Sequence, residues 1–129
     1  MSAPKCRILC IDDHKDSAEM LRMLLSEEDY DVEVALTVAE ALERIKTESF
    51  DLYVLDRRLP DGTGIELCEK LTTLTPNVPC IFYTGDAYEV HREQAFAAGA
   101  EGYVEKPDIN ALIDAVAKLL ADKECTTTG

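Results

Sequence analysis

CRILCIDDHKDSAEMLRMLLSEEDYDVEVAL, residues 6–36, holds two apolar runs of strand length with a helical pattern between them. Residues 6–11 (CRILCI) and 30–36 (YDVEVAL) are rich in Ile, Val, Leu and Cys, as buried strands are. Between them, residues 15–27 repeat apolar side chains at helical spacing, with Met20, Leu21, Met23, Leu24 and Leu25 on one broad face. The first run stops abruptly at Asp12 and Asp13, with a third acid at Asp16. Two adjacent carboxylates at the end of a buried strand repel each other and are costly to desolvate, so their placement asks for a cause.

The same alternation continues along the chain. Strand-like runs recur at DLYVLD (51–56), CIFYT (80–84) and GYVEK (102–106), and helical patterns at 38–47, 64–74, 87–98 and 109–122. Thr37 with Glu40 reads as a capping box, and Gly99 as a helix C-cap. Five strands each followed by a helix predict parallel strands joined by right-handed crossovers, an α/β fold. Nearly continuous apolar strands imply helices on both faces, hence a three-layer, doubly wound sandwich. One domain over 6–122 is expected, with a short lead (1–5) and a polar tail (123–129).

Composition narrows the function. The 129 residues are 47% apolar and 30% charged, which fits a folded domain with a solvated surface. Twenty-six acids against thirteen bases give a net charge of −13, which disfavours direct nucleic-acid or anionic-membrane binding and suits protein partners or cations. No apolar run approaches the roughly 18–20 residues that span a bilayer, and MSAPKCRILC lacks a signal-peptide pattern; the expectation is a cytoplasmic protein. Five cysteines without CxxC spacing argue against a zinc site or disulfide framework. Cys6, Cys10 and Cys80 read as reduced core residues and Cys125 as part of a loose tail.

In a parallel sheet, ligands bind beyond the carboxyl ends of the strands. Those positions hold Asp12 and Asp13 after the first strand, Asp56 at the end of the third, and Thr84, Gly85 and Asp86 after the fourth. Lys106 and Pro107 follow the fifth. Each signal alone is an ordinary turn; together they gather three carboxylates, a hydroxyl and an ammonium at one edge. Two carboxylates about 4 Å apart repel by about 4 kcal/mol at an effective dielectric near 20, so three together call for a shared cation. Hard oxygen ligands suit Mg²⁺ or Mn²⁺, which accept a phosphate oxygen as well. Such a cation makes Asp56 approachable by a phosphoryl donor, with Lys106 and the Thr84 hydroxyl as further contacts.

IDD (11–13), VLDRRLPDGTG (54–64), FYTG (82–85) and GYVEKP (102–107) resemble the receiver domain of two-component response regulators, over roughly residues 6–122. The resemblance implies a flavodoxin-like sheet of order 2-1-3-4-5 and a phosphorylation-dependent switch that is not an enzyme beyond its own phosphorylation and dephosphorylation. It makes Asp56 the phosphoacceptor. Mg²⁺ would be held by Asp13, Asp56 and the main-chain carbonyl of Arg58, with Asp12 holding metal-bound water or ligating directly. Thr84 and Lys106 would contact the phosphoryl group, and the Lys106–Pro107 bond would be cis. Tyr103 would turn inward as Thr84 moves, changing the face formed by helix four, strand five and helix five. The implied donor is a sensor histidine kinase or a histidine phosphotransfer protein. The downstream target is unspecified, and a phosphorylation-dependent homodimer is compatible.

Some residues depart from the family pattern. Arg57 and Arg58 follow the acceptor; Arg57 reads as a solvated cation, and Arg58 as near enough to the site mouth to pair with Asp86 or shield the phosphoryl group. Asp108 reads as an N-cap for helix five. His14 and His91 read as surface residues. An FMN-binding electron carrier would need a hydroxyl- and glycine-rich loop where DDHKDS stands. A phosphatase with an aspartyl nucleophile would need an acid at Arg58, and a degenerate receiver would lack part of the complete set.

Overall fold

The computed structural model describes residues 5–86, 88–121 and 125. In chain order the elements are β1 (Arg7–Ile11), α1 (Lys15–Glu27), β2 (Asp31–Ala35), α2 (Val38–Thr47), β3 (Leu52–Leu55), β4 (Arg58–Leu59), β5 (Gly62–Thr63), α3 (Gly64–Leu74), β6 (Cys80–Thr84), α4 (Glu89–Ala97), β7 (Gly102–Glu105) and α5 (Ile109–Leu120). Five strands form one parallel sheet in the order β2-β1-β3-β6-β7. Counted within that sheet alone, the order is 2-1-3-4-5, the doubly wound flavodoxin-like arrangement. The expected helix positions 87 and 122, residues 1–4 of the lead and all of the tail except Cys125 lie outside the described residues.

Alternation along each strand divides the core in two. Leu9, Ile11, Tyr53, Leu55 and Phe82 face one side, against α2, α3 and α4. Ile8, Cys10, Leu52, Val54, Ile81 and Tyr83 face the other, against α1 and α5. β1, β3 and β6 are buried at every position and carry no polar alternation, whereas the edge strand β2 alternates Asp31 and Glu33 with Val32 and Val34. Each fully buried Leu or Ile contributes about 1.5–3 kcal/mol of transfer free energy.

β4 and β5 are a two-residue antiparallel hairpin that the sequence reading missed. Strands this short carry no periodicity to detect. The hairpin is pinned at its tip: the amides of Val38 and Ala39 donate to the Asp61 carboxylate at 2.8 and 3.0 Å, so the turn caps α2 from a distance. The capping box expected at Thr37 is only half formed. Thr37 Oγ1 accepts the Glu40 amide, but the Glu40 carboxylate takes the Leu36 amide instead of that of Thr37. A complete box stands on α3, between Thr63 and Glu66. Asp108 caps α5 as expected, accepting the Ala111 amide at 3.1 Å. Gly99 sits one residue beyond the C-cap of α4, with φ of 111°; a Cβ there would lie 2.7 Å from Thr72 Cγ2.

Cysteine placement corrects two expectations. Cys125 is not in a loose tail: it packs against the α1/α5 core, and Cys6 is not a separate reduced thiol, because its sulfur meets that of Cys125; Cys10 and Cys80 are free and buried as expected.

At the amino end of the sheet Arg7 is buried, stacked over Phe50 and bonded to Asp31, Glu48 and the Ser49 carbonyl. The hydrogen bond from Arg7 holds the Glu48 carboxyl below the usual carboxylate range. A depressed folded-state value adds stability above the ordinary carboxylate pKa of about 4. That contribution is lost as pH falls through the lower folded value. Glu48→Gln is therefore expected to lower stability at neutral pH and to flatten its decline on the acid side, measured by urea unfolding between about pH 3 and 7.

Candidate functional site

The carboxyl end of the sheet gathers the polar residues that its strands deliver. Asp12 follows β1; its amide donates to the Ala35 carbonyl at 3.1 Å and its carboxylate is almost fully buried. Asp56 follows β3, and its amide donates to the Ile11 carbonyl at 3.0 Å. The backbone ladder thus carries both acids to one level. Asp13 stands exposed beside them. One oxygen from each of Asp12, Asp13 and Asp56, together with a ring nitrogen of His14, lies within 4.8 Å of the others.

Lys106 reaches into this cluster from the end of β7. Its Nζ is 2.9 Å from Asp12 Oδ2 and 3.2 Å from Asp56 Oδ2. The Lys106 amide donates to the Thr84 carbonyl at 2.8 Å, and the Lys106–Pro107 peptide is cis. Burial pulls the Lys106 ammonium down, but the bond to Asp12 and the charges of Asp56 and Asp12 outweigh it, so the pKa lies above its ordinary value. The second Asp56 oxygen, Oδ1, accepts the Arg57 amide at 2.7 Å. One ammonium thus bonds two of the three carboxylates, and the cluster keeps an excess of negative charge.

The donor set fits a hard divalent cation. Three carboxylates supply anionic oxygens, and the uncompensated charge is what a cation would balance. The nitrogen of His14, exposed at the N-cap of α1 and 3.2 Å from Asp13, is the less suitable donor. Next to the cluster an open depression of about 460 Å³ is lined by Asp13, Asp56, Arg58, Thr84 and Asp86, among others.

Arg57 and Arg58 do not divide as expected. Arg58 belongs to β4, its backbone paired with Thr63 and its side chain exposed. Arg57 turns inward instead, with its buried Nε 3.3 Å from Asp86 Oδ2. The expected pairing of Arg58 with Asp86 is thus made by Arg57, because the hairpin turns Arg58 away. His91 is not solvated either. Its Nδ1 lies 2.5 Å from Asp86 Oδ2, bridging the loop to α4. Burial alone would raise the Asp86 carboxyl; the Tyr88 amide, His91 and Arg57 outweigh it and hold it below the usual range. Tyr103 is buried, stacked on Phe82, and its hydroxyl donates to the Asp86 carbonyl at 2.7 Å. The Asp86–Arg57–His91 contact has no sequence signature, because it joins three segments by their approach in space.

The sequence matches the response regulator receiver domain over residues 8–117. The chain belongs to the receiver-domain family of response regulators. The DNA-binding transcriptional activator DevR/DosR of Mycobacterium tuberculosis is 39% identical over 103 residues, covering 78% of this chain and 47% of that protein. A CheY-like receiver domain protein from Methanospirillum hungatei superposes with a TM-score of 0.86 at 34% identity, over 92% of this chain and 95% of that one. TrrA of Thermotoga maritima, solved in complex with Mg²⁺-BeF, superposes at 0.81 with 31% identity, over 89% and 99%. The receiver domain described here spans less than half the length of the first curated relatives it matches. Receiver domains are phosphorylation-dependent signalling domains, not classical enzymes, and generally bind Mg²⁺ at an acidic pocket. Asp12, Asp13 and Asp56 make the acidic cluster of this one. Among the described residues no helix is long and apolar enough to cross a membrane.

Gly64, the last residue of the DGTG run, fixes how closely α3 approaches the site. Its amide donates to the Arg57 carbonyl at 2.7 Å. A Cβ at this position would lie 2.1 Å from the Asp56 carbonyl oxygen and 2.9 Å from Phe82 Cε2. Backbone cannot yield as a side chain can, so Gly64→Ala is expected to cost about 1–3 kcal/mol. Thermal unfolding should register this as a midpoint lowered by roughly 3–10 °C.

Proposed function

We propose that Asp56 is the residue that accepts the phosphoryl group. The observation that carries this reading is its position: among the described residues, the only strand-end acid between Lys106 Nζ at 3.2 Å and the Arg57 amide at 2.7 Å, beside the open depression. Asp12 is closed off by burial, and Asp13 is not among the acids Lys106 contacts. A carboxylate oxygen of Asp56 attacks phosphorus, the bond from phosphorus to the donor breaks, and an acyl phosphate results. The donor we assign is a phosphohistidine on a sensor histidine kinase or a histidine phosphotransfer protein.

Asp12, Asp13 and Asp56 would hold Mg²⁺, or Mn²⁺, with the main-chain carbonyl of Arg58. Bound there, the cation supplies charge neutralisation between carboxylate and phosphoryl oxygens. Lys106 holds Asp56 in place in the resting site and pairs with the added charge after transfer. The Thr84 hydroxyl, at the buried end of β6, is suited to bond a phosphoryl oxygen. A shift of Thr84 pulls on the loop two residues along, where the Asp86 carbonyl accepts the Tyr103 hydroxyl. Tyr103 and α4 are then the moving parts of the switch, and the α4–β7–α5 face is where a target or a second copy would read it. With a net charge of −13 this domain does not itself bind nucleic acid, and the target is a downstream protein or an effector domain. Residues 6–122 form the receiver unit, with a short lead and a polar tail, in a cytoplasmic protein.

A small-molecule phosphodonor provides the test. Intact-mass analysis should find one acid-stable, base-labile phosphoryl group, dependent on Mg²⁺ and absent in Asp56→Asn. Labelling of Asp56→Asn to the wild-type level would overturn the assignment. Lys106→Ala should retain the fold and slow labelling by roughly a hundredfold, the scale of losing one preorganised charge at a transition state.

Arg58, exposed at the rim of the depression, screens the acyl phosphate from water, and Asp86 fixes Arg57 beside it. A rim charge contributes up to about 1 kcal/mol. Arg58→Ala should then shorten the half-life of the phosphorylated form by up to about fivefold. An unchanged half-life removes Arg58 from that role.

A further inference from the structure

At the amino end of the sheet, opposite Asp56, Cys6 precedes β1 and Cys125 follows α5. Their Cα atoms are 4.7 Å apart and their sulfurs are in contact. Disulfides bridge Cα separations of about 4.4–6.8 Å without moving the backbone. Cys6 is buried and Cys125 half-buried, so the pair is approached from solvent through Cys125.

The other three cysteines differ. Cys10, Cys68 and Cys80 are free and fully buried. Burial pushes the Cys10 thiol up to about 12, and the Cys80 thiol is raised by its hydrogen bond with Cys68 and by burial. A thiol kept protonated is a poor nucleophile toward a disulfide. The hydrogen bond with Cys80 draws the Cys68 thiol down, but Cys68 has no exposed surface through which a reagent could reach it; reactivity is therefore concentrated in the one pair at the edge of the core.

We propose that Cys6 and Cys125 form a reversible redox clasp that ties the segment following α5 to the start of β1. The co-reactant is a low-molecular-weight disulfide. The Cys125 thiolate attacks it, one reagent thiolate leaves, and a mixed disulfide forms. The Cys6 thiolate then attacks the Cys125 sulfur and expels the second reagent thiolate. One Sγ–Sγ bond forms, one reagent S–S bond breaks, and two electrons pass to the reagent. The two protein thiol protons end on the two reagent thiols, and excess reagent thiol runs the exchange backwards. Closing the clasp joins residues 119 apart in sequence, which restricts the unfolded chain and fixes where the polypeptide leaves α5. Oxidation would thus hold Cys125 against the start of β1, at the end of the sheet remote from phosphorylation.

Asp51 supplies the rival chemistry. Its carboxylate and the two sulfurs lie within 4.8 Å of one another, so the same groups could ligate a soft divalent metal. Asp51 Oδ2 already accepts the Arg7 amide at 2.7 Å, which favours the thiol pair acting alone.

The full 129-residue chain, equilibrated across ratios of reduced to oxidised glutathione, provides the test. One series contains a chelator and another added Zn²⁺, and free thiols are alkylated after denaturation. Alkylated thiols should fall from five to three in one transition with the chelator present, and peptide mapping should join Cys6 to Cys125. The thermal midpoint should rise by roughly 6 °C or more on oxidation, and Cys125→Ser should show neither change. Five reactive thiols at every ratio, a Cys68–Cys80 linkage, or protection only with Zn²⁺ would overturn the proposal. Because thiols are counted on the unaltered chain, a poorly folding variant does not affect the outcome.

Discussion

Three carboxylates share the carboxyl end of a parallel sheet with one ammonium, and much of the structure serves to hold that unfavourable arrangement. Each acid is fixed by the backbone before its side chain meets another. The amides of Asp12 and Asp56 donate to strand carbonyls of Ala35 and Ile11, so neither residue can withdraw without breaking the sheet. Lys106 spans the two from β7 and offsets part of the charge. What remains is an excess of negative charge, buried at Asp12, half-buried at Asp56 and exposed at Asp13, which suits a divalent cation.

A second set of contacts connects that charge to a helix. Arg57 and His91 both converge on Asp86, and the Tyr103 hydroxyl bonds the carbonyl of the same residue. The loop after β6 is therefore tied simultaneously to the residue after Asp56, to the first turns of α4 and to β7. Displacement of β6's end is shared among these three attachments because they meet at one residue. In the proposed switch, such a junction would let a small change in charge bias a larger element.

Close packing sets the tolerance of this arrangement. Gly64 brings α3 against the Asp56 carbonyl at a distance no side chain permits. The hairpin preceding it is held by Asp61 on α2 and by the Thr63–Glu66 box on α3. The loop carrying Arg57 and Arg58 is thereby fixed at both ends, one arginine turned in and the other out. At the opposite end of the sheet the buried Arg7 network does comparable work for the strand starts.

The chain by itself determined the alternation of strands and helices, with α1, α2 and α3 bounded as the periodicity predicts. It also marked the strand-end acids, Thr84 and Lys106 as neighbours. Both follow from local physics: burial on two faces leaves a continuous apolar signature, and parallel crossovers put successive strand ends on one edge. Tertiary structure alone decided which arginine meets Asp86, that His91 joins it, that Asp61 rather than Glu40 completes the capping of α2, and that Cys125 returns to Cys6. None of these has a fixed sequence spacing. Each depends on through-space distances of a few ångströms between side chains from separate elements, and those exist only once the sheet and its helices have packed.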